Sequence, residues 1–135
     1  MAKNIKQHPP VCPCGSNKPY DDCCRPYHVG LAAPSAEALM RSRYSAYVFQ
    51  LEEYLLQTWH PDTRPERLGL ENDPQPKWLG LSVKRHELMR SDAAIVEFVA
   101  RYKLGGKAEK LHETSSFLKI DDSWFYFDDA GSSNS

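Results

Sequence analysis

Cys12, Cys14, Cys23 and Cys24 are the only thiols in this 135-residue chain, and they fall within thirteen positions. A Cys-x-Cys pair, an eight-residue loop and a returning Cys-Cys pair have the spacing of a small metal knuckle. The first pair sets two sulfurs on one tight turn, and the second closes a tetrahedron of the kind Zn2+ takes at about 2.3 Å. The segment is too short to bury a core of its own, so metal–ligand energy has to fold it. Disulfides are the competing reading, but bridging cysteines are spread out to staple distant loops, and no thiol lies elsewhere to pair with these. The first ten residues lack the apolar run of a signal peptide. Nor does any stretch approach the roughly 18 apolar residues of a membrane span. A cytoplasmic protein with reduced thiols and one structural Zn2+ is therefore expected, with iron behind zinc because the paired Cys-x2-Cys loops of an iron site are absent. Four thiolates leave no open coordination position, so catalysis at the metal is not expected.

Between the thiols, Gly15-Ser16-Asn17 is suited to a tight turn, since Gly and Asn tolerate positive φ. Lys18 and Arg25 could offset part of the net −2 of a four-thiolate zinc site, and Tyr20 and Tyr27 offer aromatic surface for packing. His28, four positions after Cys24, is a substitute ligand only if the four-thiol set is incomplete. The run Cys12-x-Cys14-Gly-Ser-x-Lys18-x-Tyr20-x-x-Cys23-Cys24 resembles the SEC-C motif, named for the zinc-binding tail of the bacterial preprotein translocase motor. Asn17 stands where that motif usually has a second glycine, and Asn is the next-best residue for a left-handed turn. The resemblance implies that the four matching cysteines ligate zinc. The translocase tail binds an export chaperone and the ribosome, which implies a protein or ribosome-associated partner here.

The remaining sequence has room for one modest domain. With 41% hydrophobic and 26% charged residues its composition is that of an ordinary soluble globular chain. Seventeen basic and eighteen acidic residues argue against nucleic acid as the main ligand, since such proteins rely on a positive field. Two local basic groups remain: Lys84, Arg85, His86 and Arg90, and the Lys103/Lys107/Lys110 hairpin. Val29–Pro34 marks a boundary between a knuckle over 1–30 and a domain over 31–130, and the Gly/Ser-rich 131–135 reads as a disordered tail. Ser35 is an N-cap with Glu37 in the first turn. Apolar and aromatic residues at Ala36, Met40, Tyr44, Tyr47, Val48 and Leu51 then form one helical stripe. A second helix runs from Leu51 to Trp59, ended by Pro61, and Pro65–Leu68 could open a short third. From Trp78 the period changes to two, with strands over 78–89, 94–102, 108–120 and from Trp124. Tight turns are expected at Gly105-Gly106 and Asp121-Asp122-Ser123. The order predicts an α+β domain with two to three helices packed on one face of a curled antiparallel sheet.

Helices followed by a long meander are similar to the nuclear transport factor 2-like cone, a fold with one pocket between sheet and helices. The whole chain resembles the YchJ family, which joins a SEC-C knuckle to such a cone. The segments that carry this resemblance are Ala36–Tyr47, Thr58–Pro61, Trp78–Leu81, Val96–Tyr102 and His112-Glu113. It implies a fold and no activity.

Polar residues that interrupt apolar patterns are the pocket candidates. At 100° per residue Arg43 falls among Ala36, Leu39, Met40 and Tyr47, and Arg41 borders the stripe beside Tyr44. Buried arginines need partners, and Glu97 is a natural one, with Glu113 another. Either these charges line a pocket for an anionic or polar ligand, or they form an Arg–Glu network tying helix to sheet; the network is the readier reading. His60 follows Trp59 at a helix end. His112 and Glu113 are adjacent on a strand and face opposite sides, while a cross-sheet pair such as His112 with Glu97 could act as a general acid–base dyad. His8, His28 and His86 read as surface or loop residues. The expected function is an adaptor whose knuckle binds a partner. The alternative is a small-molecule-binding protein or acid–base enzyme using the cone, with Arg43, Tyr44, Trp59, His60, Glu97, His112 and Glu113 as candidates.

Overall fold

The structure, a computed structural model, describes residues 11–70 and 75–132, with side chains to residue 128. His8 and residues 133–135 lie outside the described residues. After a 3-10 turn at Tyr20–Asp22, the elements are α1 (Arg25–His28), α2 (Ala36–Val48), α3 (Glu52–Gln57) and four strands. The strands are β1 (Lys77–Arg90), β2 (Ala93–Leu104), β3 (Lys107–Ile120) and β4 (Ser123–Ser132). They form one antiparallel meander in the order β1-β2-β3-β4, as the period-two alternation predicts. Gly105 and Gly106 both have positive φ, and so do Asp121 and Asp122 at the last hairpin, the backbone that matches strand twist in two-residue turns. Of the tail expected at 131–135, Gly131 and Ser132 belong to β4 and pair with Thr114 and Glu113.

The sheet curls because its edge strands carry bulges. β1 shifts register between Trp78 and Gly80, Val83 and Arg85, and Leu88 and Arg90, while β4 meets two shifts against β3. Extra residues on an edge bend it and increase the local twist. The central β2–β3 pair is regular from Ala93↔Leu118 to Leu104↔Lys107, so faces alternate strictly there. Val96, Phe98, Ala100, Ser115 and Phe117 are buried beneath α2.

Ser35 accepts a hydrogen bond from the amide of Ala38 (3.1 Å) and caps α2. The stripe does not run unbroken to Leu51. Gln50 takes φ 59°, and the amides of Gln50 and Leu51 return to the carbonyls of Tyr47 and Ala46. This 5→2 plus 6→1 pair is a Schellman cap, with glutamine in the left-handed position usually held by glycine. α3 ends at Gln57, earlier than expected, because the next residues join the sheet: Tyr126 donates its amide to the Thr58 carbonyl, and His60 donates its own to the Tyr126 carbonyl, both at 2.8 Å. The third helix at Pro65–Leu68 does not form. The Leu68 amide donates instead to the Glu52 carboxylate at 2.6 Å, and four residues are too few to nucleate a helix against that competition.

Knuckle and domain share one core. Cys12, Cys14, Cys24 and Tyr20 belong to the same cluster of buried residues as Leu39, Tyr44, Val96 and Phe117.

Candidate functional site

The Cys12–Cys14 turn is closed by a hydrogen bond from the Cys12 amide to the Lys18 carbonyl (2.7 Å). Gly15 at φ 88° and Asn17 at φ 68° provide the left-handed positions, so asparagine does adopt the conformation expected of it. Proline at the second position of α1 starts the helix that carries Cys24 as its N-cap. All four Sγ atoms lie within 4.8 Å of one another, with Cys14–Cys23 at 3.6 Å and Cys23–Cys24 at 3.9 Å. A tetrahedral four-thiolate site with bonds of about 2.3 Å places its sulfurs about 3.8 Å apart, so these residues fit a metal ion. None of the four is in a disulfide.

The sulfurs bias one another strongly. Hydrogen bonding from the Cys12 thiol, then from Cys24, holds Cys14 far below the ordinary thiol range. The same contact with Cys14 pushes Cys12 up to about 12, and hydrogen bonding with Cys12 raises Cys24 as well. A bound divalent cation would override this inequality, because a coordinating thiol is deprotonated outright. The Ser16 hydroxyl stands 3.1 Å from Cys23 Sγ, where it donates to thiolate. Arg25 is drawn off toward Asp21 at 3.7 Å, both exposed. Arg41 is the cation delivered to the knuckle: its Nη1 donates to the Cys14 carbonyl at 2.7 Å, while its Nε pairs with Glu37 at 3.1 Å.

Two further contacts lock the knuckle to the domain. His28 is half-buried rather than a loop residue. Its Nε2 must be the protonated nitrogen, because it faces the Ser42 carbonyl at 2.8 Å, and its Nδ1 then accepts from the Tyr20 hydroxyl at 2.7 Å. Burial pushes the His28 pKa down, favouring this neutral form. Tyr20 also packs its edge on Phe49, with ring centroids 5.0 Å apart. On the other side, a Cβ placed on Gly15 would sit 2.7 Å from the Leu81 carbonyl of β1. The face of α2 that receives the knuckle and α3 is made of Ser42 and Ser45, both fully buried. The sequence reading misses this second buried face; its signal is two small residues at i, i+3.

A separate cavity of about 340 Å³ lies between α2 and the concave sheet face, lined by Arg43, Tyr44, Tyr47, Trp59, Trp78, Phe98, Glu113, Ser115 and Tyr126 among others. Four of the seven pocket candidates, Arg43, Tyr44, Trp59 and Glu113, are thus brought together. Trp59 and His60 separate because the chain is extended where it bridges to Tyr126. Trp59 packs edge-on to Tyr126 (4.8 Å), whereas His60 turns away toward Phe127 (5.1 Å) and accepts the Asp62 amide at Nδ1. Glu97 and His112 do not line the cavity. They pair with each other at 2.7 Å, and Arg85 joins at 3.4 Å. Val99 and Glu97 alternate with buried Phe98, so this group lies on the opposite face of the sheet. The His112 contact is the main cause holding the Glu97 carboxyl below its usual range.

Arg43 therefore does not pair with Glu97. Its two Nη1 bonds go to the Leu55 carbonyl and the Thr58 hydroxyl, both at 2.7 Å. Those acceptors sit at the C-terminal end of α3, where the helix dipole favours a cation. The guanidinium lies 4.7 Å from the Tyr126 ring centroid and 5.2 Å from that of Trp59. Carbonyl and aromatic partners leave no signature in a sequence search for opposite charge. His86, also read as surface, is half-buried, with Nδ1 3.7 Å from Glu37. The basic groups do not merge: Lys77, Arg101, Lys103 and Lys110 are cross-strand neighbours at the β2–β3 hairpin end, while Arg85 and Arg90 are paired with Glu87 and Asp92. No helix among the described residues is long and apolar enough to cross a membrane.

Comparison with known proteins agrees with both parts. Residues 11–26 match the SEC-C motif, and residues 35–129 match the family described as "YchJ, middle NTF2-like domain". A UPF0225 protein of Bordetella bronchiseptica is 50% identical over 130 residues, covering 92% of this chain and 97% of the relative. One from Chromobacterium violaceum is 54% identical over 129 residues, covering 92% and 95%. Among solved structures, a SEC-C motif containing protein from Rhodopseudomonas palustris superposes with a TM-score of 0.79 at 34% identity, covering 90% of this chain and 98% of its own. Another from Psychrobacter arcticus gives 0.76 at 33% identity, covering 92% and 83%. A cysteine knuckle fused to a nuclear transport factor 2-like α+β cone, with relatives matching over nearly their whole length, places the chain in the YchJ-like family of UPF0225 proteins.

Proposed function

We propose that the chain is a cytoplasmic zinc-binding adaptor: Cys12, Cys14, Cys23 and Cys24 hold one structural Zn2+, and the knuckle surface engages a protein or ribosome-associated partner. The observation that carries the reading is the closed four-sulfur cluster, three of whose cysteines are buried in the domain core. A site of that kind gives shape and leaves no position for substrate. Toward solvent, exposed Val11, Val29 and Leu31 on the knuckle and the segment leaving it stand beside the charged Lys18, Asp21, Asp22 and Arg25. Thiolate donors favour zinc over the hard cations, and reduced thiols fit a cytoplasmic setting.

The test uses zinc-loaded full-length chain and a Val29→Asp/Leu31→Asp variant in sedimentation with purified ribosomes and in capture from cell extract. Metal analysis should give one zinc per chain in both. A partner held by the native chain and lost by the variant at equal zinc content supports the adaptor. Zinc well below one per chain, or retention indifferent to the substitutions, removes it.

The cone's ligand-binding alternative is favoured by the cavity itself. Its acid–base form is not, because the His112–Glu97 pair lies across the sheet from the cavity.

A further inference from the structure

Arg43 is 5% exposed and carries a charge that a protein interior tolerates only with compensation. Among the described residues no carboxylate comes within ion-pair distance of it. A guanidinium has five N–H donors in a planar fork. Two, on Nη1, serve the end of α3, which accounts for its structural role. Three remain on Nε and Nη2, and the Tyr47 hydroxyl is the nearby side-chain group that hydrogen-bonds to Arg43. A purely structural arginine needs no open space beside it. Arg43 instead borders a cavity of about 340 Å³, which lies within the about 300–1,000 Å³ typical of small-molecule sites.

The cavity walls say what shape fits. Tyr44, Tyr47, Trp59, Trp78, Phe98 and Tyr126 surround it with aromatic faces and edges. Of its lining, Arg43, Phe98, Ala100 and Phe117 are buried and Trp59, Trp78, Leu111 and Glu113 are half-buried, with Glu113 opposite Phe98 and Leu111 opposite Ala100 across the β2–β3 pair. Arg43 is the one cation in its lining.

We propose that the cone cavity binds a small aromatic carboxylate, with the carboxylate received by Arg43 and the ring packed among Trp59, Trp78 and Tyr47. A carboxylate accepts charge-assisted bonds from the guanidinium donors that Leu55, Thr58 and Tyr47 do not occupy. The aromatic box suits a flat, apolar body. This site is independent of the knuckle: it needs no partner protein and survives failure of the adaptor reading.

The test uses the full-length zinc-loaded chain, with cinnamate, phenylpropionate and indole-3-acetate as probes against their neutral carboxamides. Binding is followed by amide and indole chemical shifts. The carboxylates should shift the Trp59 and Trp78 indole signals saturably, with the carboxamides at least about tenfold weaker, the scale of a charge-assisted pair. Ala100→Leu, which fills the cavity from β2 without touching Arg43's bonds to α3, should abolish binding while the spectrum stays folded. Arg43→Lys keeps the charge but loses the fork and should narrow the carboxylate preference. Equal binding of acids and amides, shifts confined to residues outside the cavity, or no probe shifting the tryptophans would overturn the proposal.

Discussion

His28 Nε2 lies 2.8 Å from the carbonyl oxygen of Ser42, and this bond joins the last helical residue of the knuckle to the middle of the domain's main helix. A carbonyl only accepts, so the contact fixes the tautomer of the ring and turns Nδ1 into the acceptor for Tyr20. The knuckle is thereby fastened by its second half through His28 and by its first half through Arg41 and Cys14.

His28→Ala should cost about 1–3 kcal/mol, because it removes the acceptor of the Tyr20 hydroxyl and the donor to the Ser42 carbonyl. Chemical denaturation of the zinc-loaded chain measures it. A change within error would mean that the ring only fills space.

The pH dependence follows from the same ring. Burial holds the folded His28 pKa below its ordinary 6.5, so the unfolded chain binds the proton more readily. Stability from this group is complete above about 6.5 and is lost as the pH falls from there through the folded value. Imidazole shifts should show a midpoint below 6.5. Tyr20→Phe removes the donor to Nδ1 that favours the neutral ring, and should move that midpoint upward. A midpoint above 6.5 would contradict the neutral tautomer.

Metal removal tests whether knuckle and cone are one unit. The break at Val29–Pro34 invites the expectation that the amino-terminal 30 residues unfold alone while the sheet persists. Shared burial of Cys12, Cys14 and Cys24 with Leu39 and Val96 argues for a common transition. Chelation, or Cys14→Ser, should therefore lower the melting temperature of the whole chain in a single step. A loss of about 3 kcal/mol corresponds to about 10 °C for a domain of this size. Near-UV circular dichroism and amide exchange distinguish the outcomes: a sheet still protected in chelator would show that the cone stands alone.

What was legible in the sequence follows from how local each signal is. Four cysteines within thirteen positions announce themselves, and strict alternation from Ala94 to Tyr102 reports a strand with one buried face. The meeting of Arg43 with Leu55 and Thr58 was not legible, because a backbone carbonyl has no letter of its own. Pairing Glu97 with Arg43 fails on geometry, since Glu97 and Phe98 face opposite sides of β2 and α2 covers only the side of Phe98. Ser42 and Ser45 lie outside the apolar stripe, yet they are buried because α2 is covered on two faces. One-face periodicity cannot register a helix wedged between sheet and knuckle.

Arg43→Met keeps much of the side-chain volume and removes the charge. It leaves the Leu55 carbonyl and Thr58 hydroxyl without their guanidinium donor, and both tie the end of α3 to α2. The expected cost is about 2–3 kcal/mol, partly offset because a buried charge no longer has to be desolvated. Denaturant midpoints give the magnitude. Faster exchange of the amides at Thr58 to His60 would place the loss at the strap beside Tyr126. A stabilised variant would show that the charge is retained for something other than the fold.

Gly15 and Gly105 separate two costs that a glycine scan usually mixes. Both have positive φ, 88° and 60°, so alanine is strained at either. Nothing lies within 4 Å of a Cβ at Gly105, and Gly105→Ala should cost only the backbone term of about 1 kcal/mol. At Gly15 the added carbon would stand 2.7 Å from the Leu81 carbonyl, which β1 cannot easily withdraw. Gly15→Ala should therefore cost about 2–4 kcal/mol and also weaken metal retention, since relief of the clash moves the turn that carries Cys12 and Cys14 away from β1. Parallel denaturation and competition with a zinc chelator measure both effects. Equal costs at the two positions would mean that the knuckle is not seated on β1 as closely as its backbone indicates.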